Sequence, residues 1–389
     1  MNNPIIKENQ LKRYENIAFI ILLMLIVIAP LTKINYAEKS KTENRNLAKI
    51  VNFHKLKHSE FLKWTKSFES WLNDRFRGRD KVISAYKKFD YALTGRIAND
   101  RAMMGKNGWL FYIDKNDGNS LLNFQNKSRF TDEELVKIKN NIIRQKELLA
   151  AHGIDYYVFI APDKNRIYGE YYPDYIHKVA QKGRTDLLIE YFAKEKIKVI
   201  YPVDELLQAK EKGYIYFPWD THWNNYGAFI GYTQLMNYIK QKHPNINVLK
   251  LDDFSVSSVK SIGGDLFNFL GFKMKDMEKY DCDYLHLKLK TEKWNFVKKE
   301  ETEKKWGNYL FNSNHEPLNN IDVVLLRDSF TTAMVPYLSE SFADTHYFWT
   351  HNFNVVYPEI LKIKPQIVVH EIVERGTPAL LIDVSKLKE

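Results

Sequence analysis

The chain has 389 residues, 44% hydrophobic and 14% aromatic, which is enough apolar material for at least one large core and excludes disorder as a whole. A formal net charge of +10 fits attraction to polyanions, whether nucleic acid, acidic glycan or an anionic membrane, but the lysines are scattered rather than blocked, the pattern of a solvated basic surface. The single cysteine, Cys282, excludes an intramolecular disulfide and a cysteine-based metal site.

At the amino terminus Lys7, Lys12 and Arg13 precede the uncharged run from Ile17 to Leu31, the basic-then-apolar order of an export signal. The run is shorter than the about twenty residues of a full span. Tyr36-Ala37 is the nearest candidate for a small-residue cleavage site, so the expectation is an uncleaved anchor: residues 1–37 as cytoplasmic tail and transmembrane helix, and everything after Lys33 outside the cytoplasm. Residues 38–100 are polar, helical and aromatic-rich. Phe61, Leu62, Trp64, Phe68, Trp71, Leu72 and Phe76 recur at threes and fours, the pattern of an amphipathic stalk or cover helix.

Residues 101–389 read as the catalytic domain. Gly108–Ile113 has strand character, and Thr131-Asp-Glu-Glu134 is a capping box that opens a helix to about Ala151. A βα alternation follows: strand 155–160, helix 185–193, strand 199–201 and a helix over 225–242, then strand 321–326, a helix, strand 345–349, helix 356–362 and strand 366–373. Such alternation predicts an α/β fold, a parallel sheet flanked by helices, with sites at the carboxyl ends of the strands. The stretch of about 244–318 interrupts it. Tyr280–Lys290 and Trp294–Lys298 alternate, as antiparallel strands inserted between the two halves of the site do, and Gly263-Gly-Asp265 is a turn. Asp281, Asp283 and His286 alternate along one such strand and read as a charged face. There is no Walker-type loop, no Gly-x-Gly-x-x-Gly and no paired His/Cys spacing, so no cofactor, metal or nucleic acid is expected.

Two places carry chemistry. The apolar run Ile321–Leu326 stops on Arg327-Asp328-Ser329 and continues as a helical pattern with Pro336 near its start, a strand-turn-helix order that presents a serine hydroxyl at a sheet edge with backbone N–H groups beside it. Upstream, Asp220 and His222 stand two apart before a helix; one carboxylate there orients an imidazole whose other nitrogen takes the serine proton. A histidine taken singly from the chain's 11 is a packed or surface residue. The two motifs together, each at an element end and flanked by aromatics, point to a Ser-His-Asp site. Trp219, Trp223 and Tyr337 beside them are candidates for stacking on sugar rings, and Lys164, after the first strand, for the same edge.

Asp220-Thr-His222-Trp and Arg327-Asp-Ser329-Phe resemble the SGNH-hydrolase-like proteins of the alginate O-acetyltransferase type, and the resemblance extends through Glu43–Ala48, Phe68–Asp80, Gly105–Phe111, Ala161–Lys164 and Val373–Arg375. It implies an exported enzyme of exopolysaccharide biosynthesis and biofilm formation that moves acetyl through an acyl-enzyme to a glycan hydroxyl. Ser329 is then the nucleophile, His222 the base and Asp220 its partner. Arg327, Phe330, Trp223, Lys164 and Tyr337 are candidates for substrate or oxyanion contacts, and a multi-spanning membrane acyltransferase supplies the acetyl. Arg327 stands where many relatives carry a glycine, and Thr221 where some carry a second histidine. The alternatives are an acetylesterase with the same triad and a non-catalytic polysaccharide-binding scaffold.

Overall fold

The computed structural model describes residues 4–28, 34–40, 45–51, 58–76, 78, 79, 81, 85, 86, 89, 100–262, 264–270, 281–291, 293–304 and 307–388. Of the residues singled out above, Ala29, Pro30, Leu31, Lys33, Glu43, Asn44, Arg77, Asp80, Gly263 and Tyr280 lie outside these, as does the end of the predicted cover. There are two compact units, Met1–Ile97 and Ala98–Glu389.

In the first unit the helix Pro4–Ile28 takes in both the basic start and the apolar run. Ile17–Ile28 fill only its second half, and Lys7, Glu8, Lys12, Arg13 and Glu15 occupy the first. Among the described residues no helix is long and apolar enough to cross a membrane. The single-pass anchor expected over residues 1–37 is not supported by such a helix; charged residues share the helix with the apolar run, whose end, 29–31, lies outside the described residues. Strands β1 (Lys39–Ser40) and β2 (Arg45–Asn46) pair antiparallel. The helix His58–Arg75 carries its aromatic residues as a stacked ladder, Phe61, Trp64, Phe68 and Trp71, with successive ring centroids 6.4, 5.3 and 6.1 Å apart. Arg75 ends that helix by donating to the carbonyls of Asn35, Ala37 and Ala48.

The second unit opens with the hairpin β3 (Ala102–Met104) and β4 (Leu110–Tyr112). Thr131 and Glu134 form the capping box that begins the helix Asp132–Ala150. Next come β5 (Asp155–Ala161) and, in the interruption, β6 (Phe254–Ile262), β7 (Asp281–Leu289), β8 (Phe296–Lys304) and β9 (Gly307–Asn314). The chain closes with β10 (Val323–Leu326), β11 (Asp344–Phe348) and β12 (Ile367–Val373). A six-stranded sheet runs β5-β12-β10-β11-β9-β8, parallel across its first four strands and antiparallel across the last two steps. The sheet is therefore mixed rather than parallel. Of the four strands in the interruption, β6 and β7 form a separate antiparallel pair, whereas β9 docks on β11 and satisfies an edge that would otherwise be left with open backbone groups. The expected strand 199–201 shrinks to one bridge, Ile200 beside Phe159.

Strand side chains alternate between two cores. Val323, Leu325, Val369 and Phe159 pack with Phe229, Tyr232, Leu235 and Ile239 of the helix Asn225–Lys240. Val324, Leu326 and Val368 face Phe353, Val356 and Ile360 of the helix Phe353–Ile363, and Ile160 and Ile372 face Ile138, Leu188 and Phe192. Helices on both faces explain why β10 reads as an unbroken apolar run. The carboxyl ends of β5, β12 and β10 are thereby brought to one edge.

Candidate active site

Strand β10 is buried on both faces and ends at Leu326, so the polar residues that follow emerge at the sheet edge. Ser329 has φ −67° and ψ −22°, ordinary helical values, and stands just ahead of a 3-10 turn over Phe330–Ala333. The turn is fixed by reciprocal bonds to β12: Asp328 N–H donates to Glu371 Oε2 at 3.0 Å, and Val373 N–H donates to Asp328 Oδ2 at 2.7 Å. Thr331 Oγ1 also donates to Glu371 Oε2, at 2.7 Å, so one carboxyl brackets the serine on both sides. The Phe330 N–H, expected to be free for an oxyanion, is consumed by Asp328 Oδ1 at 2.9 Å. Among the described residues no group accepts the Ser329 N–H.

His222 arrives on the loop before the helix Asn225–Lys240, which Asn224 caps by accepting from Gly227 N–H. Three groups hold that loop. Lys164, on the short helix that follows β5, donates to the carbonyls of Asp220, Pro218 and Phe217 at 2.7, 3.1 and 3.4 Å. Leu110 N–H of β4 donates to the Pro218 carbonyl at 2.9 Å. Trp223 Nε1 donates to the Phe330 carbonyl at 2.9 Å, joining the base loop to the serine turn.

The result is a continuous chain of bonds. Asp220 Oδ1 lies 2.7 Å from His222 Nδ1 and also accepts the His222 backbone N–H at 2.9 Å, while His222 Nε2 lies 2.7 Å from Ser329 Oγ. Asp220 Oδ2 accepts the Asp265 N–H at 3.0 Å. Burial opposes charge on Asp220, but the bond and charge of His222 outweigh it and bring its pKa below the usual carboxylate value. Burial likewise works against a charged His222, and Asp220, then Asp265, overturn it and lift the imidazole pKa above 6.5. The His222 side chain is 30% exposed, so its ring is within reach of solvent and substrate.

Nδ1 of His222 lies 3.8 Å from Asp265 Oδ2, and Asp220, His222 and Asp265 bring ligand-type atoms within 4.8 Å of one another. His222 Nδ1 and Asp220 Oδ1 bond each other, Asp220 Oδ2 accepts the Asp265 N–H, and Asp265 Oδ2 accepts from the Thr221 hydroxyl, so all three groups are already engaged by protein partners. The six residues expected to touch substrate, Trp219 among them, are all buried. Trp223 packs between Phe330 and Tyr216, and Tyr337 lies among Phe229, Tyr232 and Phe254, donating its hydroxyl to the Asn225 carbonyl. Neither is available for stacking on a sugar. Phe330 is core, and Arg327 turns its guanidinium onto the Trp349 ring while bonding the Asp328 carbonyl and the Thr332 hydroxyl. Lys164 faces backbone rather than open space; burial brings its pKa down to about 7.

The sequence reading passed over four groups around the site: Asp265, Glu371, His351 and Arg375. His351 Nε2 stands 3.5 Å from Asp328 Oδ2. Arg375 donates from Nη1 to Asp163 Oδ1 at 2.6 Å, and its guanidinium lies over the Phe330 and Tyr112 rings. The available signal was a charged residue inside or just beyond an apolar strand, as with Glu371 in Ile367–Val373.

A profile described as "SGNH hydrolase-like domain, acetyltransferase AlgX" matches residues 102–344. Among curated proteins, the chain is 26% identical over 185 residues to "Probable alginate O-acetylase AlgJ" of Pseudomonas syringae pv. tomato, a match covering 47% of this chain and 44% of that one. The chain thus spans under half the length of that relative. Among solved structures, it resembles PatB1 of Bacillus cereus, with a TM-score of 0.52 at 18% identity over 72% of this chain and 100% of that one. It also resembles a DHHW family protein of Eubacterium siraeum, with a TM-score of 0.50 at 12% identity over 76% and 98%. At these identities the two structures speak to the fold.

Proposed function

This chain belongs to the SGNH hydrolase-like family of the acetyltransferase AlgX, and from that premise we propose that it is an exported polysaccharide O-acetyltransferase working through an acetyl-Ser329 intermediate. The observation that carries the reading is the bonded chain Asp220–His222–Ser329. His222 Nε2 takes the Ser329 proton as Oγ attacks the acetyl carbonyl of a donor ester. The tetrahedral oxyanion is met by the Ser329 N–H, the C–O bond to the leaving alcohol breaks, and that alcohol leaves with the proton from Nε2. A glycan hydroxyl then gives its proton to Nε2 and attacks the acetyl carbon, and the Ser329 C–O bond breaks as Oγ recovers the proton. Asp220 holds the Nδ1–H tautomer and stabilises the imidazolium in both halves.

The basic-then-apolar start of the chain supports export, and the net charge of +10 suits an acidic polymer as acceptor. A multi-spanning membrane acyltransferase is the proposed source of acetyl. Because the His222 ring is partly open to solvent, water is a competing acceptor, so acetylesterase activity accompanies transfer. The test is to supply 4-nitrophenyl acetate with acidic and neutral oligosaccharides and to weigh the glycan. A gain of one acetyl is expected; brisk ester hydrolysis with no acetylated glycan of any kind leaves an esterase.

A further inference from the structure

The segment between the two halves of the site contributes to it directly. Gly264 comes so close to the Trp219–Asp220 peptide that a β-carbon there would stand 2.3 Å from the Trp219 carbonyl oxygen and 2.8 Å from the Asp220 nitrogen. Two bonds from backbone N–H groups fix the approach: Leu266 N–H to the Trp219 carbonyl at 3.2 Å, and Asp265 N–H to the side-chain Oδ2 of Asp220 at 3.0 Å. Thr221 then steers the Asp265 side chain, donating its N–H to Oδ1 at 2.8 Å and its hydroxyl to Oδ2 at 2.5 Å. This leaves Asp265 Oδ2 3.8 Å from His222 Nδ1, the same nitrogen that Asp220 Oδ1 holds at 2.7 Å.

We propose that Asp265 is a positioning residue of the triad, fixing the second oxygen of Asp220 through its N–H and standing as a reserve acceptor for the His222 Nδ1 proton through its carboxylate. A ring N–H makes one strong bond at a time, so in the native protein Asp220 takes it and Asp265 acts through space. If Asp220 loses its charge, an approach of about 1 Å brings Asp265 Oδ2 within hydrogen-bond range. Its charge also counts directly. The charged groups facing His222 are Asp220 and Asp265 on one side and Arg375 on the other, so removing either acid leaves the imidazole less easily protonated. Burial works against the Asp220 charge, and the N–H that Asp265 donates offsets part of that cost.

The inference rests on the reading of Ser329 and His222 as the reacting pair, and the experiment separates the two. Rates of 4-nitrophenyl acetate turnover and their pH dependence are compared, on the full chain, for Ser329→Ala, Asp220→Asn, Asp265→Asn and the double Asp variant. A triad without a spare acid loses roughly 10⁴-fold on the Asp-to-Asn change. Here Asp220→Asn is expected to lose only about 10²-fold, and the double variant to reach the roughly 10⁴-fold loss. Asp265→Asn alone should move the acidic limb of kcat/KM to lower pH, which a residue that merely packs would not do. If Asp265→Asn does not fold, Thr221→Val, which removes the hydroxyl steering the carboxylate, must lower the residual rate of the Asp220→Asn background. A double variant no slower than Asp220→Asn, with Ser329→Ala inactive, overturns the role of Asp265. A fully active Ser329→Ala overturns the site itself.

Discussion

His222 Nε2 lies 2.7 Å from Ser329 Oγ across 107 residues of sequence. The contact exists because β10 delivers the serine to a sheet edge while Lys164 and Trp223 pin the histidine loop against it. Nucleophile and base act as one unit, so Ser329→Ala and His222→Ala should each cost about as much as both together, on the order of 10³-fold or more in kcat. Steady-state turnover of an acetyl ester by folded variants checks this, and a wild-type rate in either would place the chemistry elsewhere.

With the His222 pKa raised above 6.5, chiefly by Asp220 against the pull of burial, the neutral imidazole needed as base accumulates only as pH climbs past that value. The acidic limb of kcat/KM is therefore expected above pH ~6.5. A limb below that, or none, contradicts the assignment.

Trp223→Ala should lower stability by about 3–5 kcal/mol, since a buried indole is removed, and free the serine turn by deleting its bond to the Phe330 carbonyl. Transfer and hydrolysis should fall together. Denaturant melts with both assays decide it: loss of transfer alone with unchanged stability would restore a sugar-stacking role.

Much of the fold was legible in the sequence, since apolar runs such as Val323–Leu326 and the Thr131–Glu134 capping box report local rules. The docking of β9 on β11 was not, because alternation reveals a strand and not its neighbour. Trp223 and Tyr337 misled for a related reason: aromatic residues near a catalytic motif serve a core as well as a ligand, and only burial separates the two. Asp265 gave no local pattern beyond a turn, Glu371 only a charge inside an apolar strand, and the partners of both come from distant segments.

Glu371 and His370, adjacent on β12, should shift stability with pH in opposite directions. Burial, then the Asp328 charge, raises the Glu371 pKa well above its usual value. Above about pH 4.5 the unfolded carboxyl sheds a proton that the native one keeps, so this group costs stability as pH rises. Burial lowers His370 to about 3; between about pH 6.5 and 3 the unfolded ring binds a proton that the native one refuses, so its cost appears as pH falls. Glu371→Gln, which keeps an acceptor for Asp328 N–H and Thr331 Oγ1, should melt higher than wild type at pH 8 and keep activity within about threefold. Melting curves from pH 4 to 8 test both; a Gln variant less stable than wild type at pH 8 would mean that Glu371 is ionised.

An acetyl group carried on Ser329 would be caught by mass spectrometry of enzyme quenched in acid during turnover of 4-nitrophenyl acetate, followed by peptide mapping. One added acetyl is expected on the peptide containing Ser329, absent from Ser329→Ala and discharged when an oligosaccharide acceptor is added before the quench. Steady turnover with no acetyl on that peptide, or with the label on another residue, would contradict it.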